Sequence, residues 1–148
     1  MKNELPRELP SFDVDAMLGK LAKWLRILGF DTEYPRSAAS EGRYFVTTRE
    51  VAAQEAVVKV TAQRPLEQLK EVISQTGIAV ELGRLFSRCL ICNLPVVEIS
   101  KELLEGRVPE EIFATKSEFH ECPGCKRVYW EGSHLERIKK RLKKMDII

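Results

Sequence analysis

The sequence predicts a small α/β domain, a parallel sheet flanked by helices, joined to a cysteine-stapled ribbon and a terminal amphipathic helix. Three observations predict it. Strand-like and helix-like runs alternate through the first eighty or so residues, two Cys-x-x-Cys pairs follow, and a basic stretch with an apolar stripe closes the chain.

The elements can be justified in order. Ser11-Phe-Asp-Val-Asp15 alternates apolar and polar residues and reads as a strand ending in a carboxylate. From Met17 to Leu28, apolar residues at 18, 21, 22, 25 and 28 have helical spacing, with Lys20, Lys23 and Arg26 on another face and Gly29 as the stop. Asp31–Tyr34 is a second short strand, closed by Pro35. Arg43–Thr48 and Ala56–Thr61 are two more. Pro65 opens an amphipathic helix with Leu66, Leu69, Val72 and Ile73 on one side, ending before Gly77. Only the eight residues from Pro35 to Gly42 join the second strand to the third, where parallel strands usually need about a dozen. Two expectations follow: a single helical turn there, or no sheet strand at 31–34. Beyond residue 85, Leu94–Ile99 and Val128–Trp130 are strand-like and Lys101–Glu105 helix-like, and Val108-Pro-Glu-Glu reads as a turn. Ser133-His-Leu-Glu136 has the pattern of a capping box. In the helix it would open, Leu135, Ile138, Leu142 and Met145 form the apolar stripe. The expected domains are 11–85 for the α/β part and 86–148 for the ribbon and helix.

Cys89-Leu-Ile-Cys92 and Cys122-Pro-Gly-Cys125 are separated by 29 residues. Two residues between cysteines let both sulfurs of one turn face a common centre, and two such knuckles supply the four thiolates of a structural zinc site. Four protein ligands leave no open position, so this Zn²⁺ is expected to hold the fold rather than to react. His120 is read as a surface residue, the site being complete without it.

Composition narrows the class. With 44% hydrophobic and 31% charged residues the chain is globular in type. No apolar run approaches the ~20 residues of a membrane span, and Met1–Pro10 lacks the apolar segment of a secretory signal. A cytoplasmic location with free thiols is the expectation. Net charge is +2, but residues 126–148 hold eight Lys or Arg against three Asp or Glu, a basic segment suited to phosphates or to a solvated helix face.

Residues 12–32, beginning Phe12-Asp-Val-Asp-Ala-Met-Leu-Gly-Lys20, resemble the opening of the mut-seven C-terminal ribonuclease family, a PIN-like domain followed by a zinc ribbon. The resemblance resumes at Glu41–Glu50, at Phe86–Asn93 and at Phe119–His134. It implies a PIN-like α/β fold acting on RNA or a ribonucleoprotein, with carboxylates at the C-terminal edge of the sheet holding Mg²⁺ or Mn²⁺. Asp15 stands at the family's first acidic position, Asp31 at the one after the first helix, and Glu50 at the aspartate of a Thr-Arg-Asp motif. A segment and helix expected after Tyr34 are shortened to Pro35–Ser40, leaving Glu41 as the candidate for a missing acid. The implied catalytic set is thus Asp15, Glu50, Asp31 and Glu41, with Lys20, Arg49, His134, Lys139 and Lys140 as substrate contacts. Three roles are open: a metal-dependent ribonuclease, a catalytically depleted module that binds RNA or a ribonucleoprotein, and a purely protein-interaction role of the kind zinc ribbons often have. Asp15 also suits a helix N-cap, and Asp13 is placed on the opposite strand face. Tyr129 and Trp130 are expected to pack the ribbon on the α/β domain, with base stacking as the alternative.

Overall fold

The computed structural model describes residues 9–51 and 56–148, so most of the N-terminal segment weighed as a secretory signal lies outside the described residues. Residue contacts divide the chain into two compact units, residues up to 25 with 30–79, and 26–29 with 80–148.

The first unit is built on a four-stranded parallel sheet in the order β2-β1-β3-β4. Its strands are β1 (Phe12–Asp15), β2 (Thr32–Arg36), β3 (Tyr44–Thr47) and β4 (Val57–Lys59). The expected first helix is a 3-10 turn, Ala16–Leu18, running into α1 (Gly19–Ile27). After β4 comes α2 (Pro65–Thr76), started by Pro65 and ended by Gly77 at φ 71°, whose amide returns to the Ile73 carbonyl. The Glu71 carboxylate accepts the Thr61 and Ala62 amides, each at 2.7 Å, and so ties α2 to the end of β4. Phe12, Val14, Leu21, Leu25, Phe30, Val46, Val60 and Leu69 are fully buried and make the core.

Pro35 does not close β2. The strand runs through it to Arg36, with a bulge: β1 advances two residues from Asp13 to Asp15 while β2 advances three, from Glu33 to Arg36. An edge strand accommodates a proline because the missing N–H need not be paired.

Neither expectation for the short link holds. Residues 31–34 do lead into a sheet strand, and 37–43 pass from β2 to β3 on the far side of β1 with no helix. Asp13 explains how. Its side chain, fully buried, accepts the Ser40 amide at 2.7 Å and Arg43 Nε at 2.8 Å. A carboxylate rising from the central strand thus does by hydrogen bonding what a crossover helix does by apolar packing.

The second unit holds a three-stranded antiparallel sheet of β5 (Val97–Ile99), β6 (Phe119–Glu121) and β7 (Val128–Tyr129). A 3-10 turn, Lys101–Leu104, and α3 (Glu110–Thr115) lie between β5 and β6, and α4 (Ser133–Lys144) ends the chain. Leu104, Val108 and Phe119 form a buried cluster against which Ile99, Ile112, Phe113, Val128 and Trp130 pack. Ile138 and Leu142 are the buried part of the α4 stripe. The capping box does not form. Gly132, extended at φ −157°, is the N-cap, no side chain caps the helix, and the Ser133 hydroxyl accepts from Arg137 instead. Ser133 lies one residue too far inside the helix for its oxygen to reach the orphan amides.

The last turn of α1 belongs to this unit. The Phe86 amide donates to the Ile27 carbonyl at 2.9 Å, and Arg26 Nη1 to the Leu90 carbonyl at 3.0 Å. Gly29 has φ 91°, and a Cβ there would come within 2.7 Å of the Arg84 carbonyl and 2.8 Å of Ser87 Oγ. Both its conformation and its space require glycine.

Candidate functional site

The four-cysteine cluster is built from two knuckles of one design. In the first, the Cys89 amide donates to the Leu94 carbonyl and the Asn93 amide to the Cys89 carbonyl. In the second, Cys122 donates to Arg127 and Lys126 to Cys122, all four bonds being 2.8–3.0 Å. The residue after each pair's second cysteine, Asn93 or Lys126, has a left-handed φ of 62° or 66°. This tight turn aims amides at sulfur: Cys92 N lies 3.4 Å from Cys89 Sγ, and Gly124 N 3.4 Å from Cys122 Sγ. The Tyr129 hydroxyl adds a donor at 3.2 Å from Cys89 Sγ.

The four sulfurs lie within 4.8 Å of one another, with Cys89 and Cys125 Sγ 3.7 Å apart, and none is in a disulfide. A tetrahedron with metal–sulfur bonds of ~2.3 Å has sulfurs about 3.8 Å apart, so the donor set fits a metal such as zinc. Its electrostatics agree. Burial pushes the Cys89 thiol up, but donation from Tyr129 and the Cys92 and Ile91 amides outweighs it and brings the group down to about 6. Contact with Cys125, then burial and Cys122, pushes Cys92 up to about 12. Clustered thiols resist ionising together, and a central cation removes that resistance. His120, on β6, is outside the cluster.

The acidic residues are placed differently. Asp15 ends β1 and is nearly buried, its Oδ2 accepting from Thr47 Oγ1 at 2.7 Å and Arg49 Nε at 2.8 Å. Burial raises its pKa, yet these two donors, the Arg49 charge and the Ala16 amide outweigh that and hold it below 3.8. It sits at the N-cap position of the 3-10 turn but makes no capping bond there. Arg49 also reaches the Ser37 carbonyl at 3.2 Å, so the residue expected to meet substrate is the partner of Asp15. Glu50 is largely exposed and pairs with Lys59. Asp31, just before β2, is gripped by Arg43 through Nη1 at 2.8 Å and Nη2 at 3.2 Å. It therefore lies where β2 begins, whereas Asp15 lies where β1 ends, at the opposite edge of a parallel sheet. Glu41 is exposed in the 37–43 link.

Asp13 is the residue whose place the sequence reading missed. Side chains two apart on a strand share a face, so Asp13 belongs on the Asp15 side and not opposite it. The Asp-x-Asp spacing was the available signal. Burial raises its pKa, and the Ser40 and Arg43 hydrogen bonds and the Arg43 charge more than offset this, leaving it below 3.8. Among the described residues the four cysteines are the only group of three or more His, Cys, Asp or Glu placed to share a metal ion. The carboxylates present therefore do not fit a Mg²⁺ or Mn²⁺ centre of the kind the resemblance implied: Asp15 is neutralised by Arg49, and Asp31 and Asp13 are held by Arg43.

The expected substrate contacts are at the surface. Lys20 is exposed on α1, and Lys140 on α4. Lys139 lies 3.7 Å from Glu136 in the first turn, and exposed His134 has its ring 5.6 Å from that of Phe86.

The fold is that of a parallel α/β unit followed by a small antiparallel sheet, a four-cysteine cluster that fits a metal ion, and a basic terminal helix. The chain belongs to the Mut7-C RNAse domain family, whose model matches residues 10–142. No curated protein and no solved structure matches it. No helix among the described residues is long and apolar enough to cross a membrane.

Proposed function

We propose that this chain is an RNA-binding member of its ribonuclease family, held together by one structural Zn²⁺, whose acidic edge no longer serves as a divalent-metal centre. The observation that carries this is the Asp15–Arg49 pair at 2.8 Å, a guanidinium standing where a metal-binding carboxylate needs its cation. Support for RNA as the ligand comes from the family and from α4, where Arg137, Lys140, Arg141, Lys143 and Lys144 are exposed. This reading places the chain in the cytoplasm, where reducing conditions keep the thiols available to zinc.

The second reading, metal-dependent hydrolysis of RNA phosphodiesters by a PIN-type site, is favoured by Asp15 at the C-terminal end of the central strand β1. The two are separated by gel retention and cleavage of a labelled structured RNA in Mn²⁺ or Mg²⁺, with Asp15→Asn alongside. Retention without cleavage by both proteins is expected. Cleavage by the parent that Asp15→Asn abolishes overturns the binding reading in favour of hydrolysis. Absence of both retention and cleavage removes RNA altogether.

A further inference from the structure

Beside the cysteine cluster, with which it shares Tyr129, the second unit contains a cleft of about 580 Å³ lined also by Glu111, Lys116, Trp130, Ser133 and His134. Its size falls in the ~300–1,000 Å³ range of small-ligand sites, and apolar and polar side chains share its lining in comparable measure. Trp130 is half-buried. Its ring meets Phe119 edge-on at 6.3 Å, while its indole N–H has no hydrogen-bond partner among the described residues. Gly132 leaves the indole uncovered: a Cβ there would lie 3.6 Å from both Cδ1 and Nε1 of Trp130. Its φ of −157° is extended backbone open to any residue, so the missing side chain is a matter of space and not of conformation.

Polar groups stand around this ring. Lys116 is a cation on the wall, Glu111 an acceptor suited to base N–H groups, and Ser133 and His134 open the uncapped first turn of α4. A flat aromatic surface with a free N–H, a cation and a helix start beside it matches the parts of a nucleotide: a π-face, a polar base edge and a phosphate. We propose that the cleft receives one unstacked base of single-stranded RNA against Trp130, with the adjoining phosphate at Lys116 and the start of α4. The proposal rests on the RNA-binding reading above and assigns the base contact to this unit. The basic face of α4 continues the path for the backbone.

The test uses the full zinc-loaded chain. There are two tryptophans, and Trp24 is buried, so a Trp24→Phe background makes fluorescence report Trp130 alone. A single-stranded RNA 12-mer should quench that signal, and an abasic backbone of equal charge should not. Trp130→Ala should weaken the RNA 12-mer about five- to hundredfold, the range for loss of one base stack, while leaving the abasic strand unchanged. Because Trp130 also packs on Phe119, Gly132→Val supplies a variant that keeps the indole and covers it, and the same selective loss is expected. Equal binding of base-bearing and abasic strands by parent and both variants overturns the cleft and leaves RNA binding standing. No binding of either strand by the parent overturns both.

Discussion

At the residue scale the molecule is governed by what its aspartates accept. Asp13 and Asp15 are buried on one strand and stay ionised because donors outweigh burial. Both pKa values are lowered by folding, so their stabilisation is present above the unfolded value near 3.8 and is lost as pH falls through the folded values. Stability to urea should therefore drop as pH is lowered below about 4, and Asp13→Asn should flatten that dependence. Asp13→Ala should destabilise the protein by roughly 3 kcal/mol in the same assay, because it leaves the Ser40 amide and part of Arg43 without an acceptor. Little of this was legible in the sequence. A carboxylate shows its position on a strand but not its partner, and Arg43 and Arg49 are nothing more than cations until the sheet brings them to Asp13 and Asp15. The cysteines were legible for the opposite reason, since Cys-x-x-Cys carries its geometry within four residues.

At the element scale, the strands and helices with local signals were readable. Apolar spacing gave α1 and α2, and the β-branched runs gave β3 and β4. What the sequence hid were features set by neighbours: the passage of β2 through Pro35, permitted by its edge position, and the shift of the α4 N-cap from Ser133 to Gly132. Gly29 was correctly read as a stop, but its second constraint, the approach of Arg84 and Ser87, lies beyond any local pattern. Gly29→Ala should cost about 1–2 kcal/mol for the left-handed backbone alone, and more for the 2.7 Å approach to the Arg84 carbonyl. Thermal unfolding should show a fall in Tm of several degrees.

At the scale of the whole molecule, the two units draw stability from different sources. The first buries a set of large apolar side chains around its sheet, whereas the second has a small cluster around Leu104, Val108 and Phe119 and four cysteines whose bound metal would supply part of its stability. Chelation should therefore abolish hydrogen-exchange protection at Cys89, Asn93, Cys122 and Lys126, the amides of the two knuckles, while those of Phe45 and Val60 in the parallel sheet remain protected. Native mass spectrometry of reduced protein should show one Zn²⁺ per chain, and lowering the pH should release it as protons compete for the thiolates.

The link from β2 to β3 has a kinetic consequence. Seven residues close this loop where a helical crossover would close a much longer one, and the entropy of bringing strand ends together grows with loop length. The contacts that Asp13 makes with Ser40 and Arg43, 27 and 30 residues further along, lie within the segment from β1 to β3, so they can form before later parts of the chain arrive. Three parallel strands, ordinarily a slow arrangement to assemble, thus acquire a local starting point. Asp13 becomes a residue whose loss should slow folding more than it speeds unfolding.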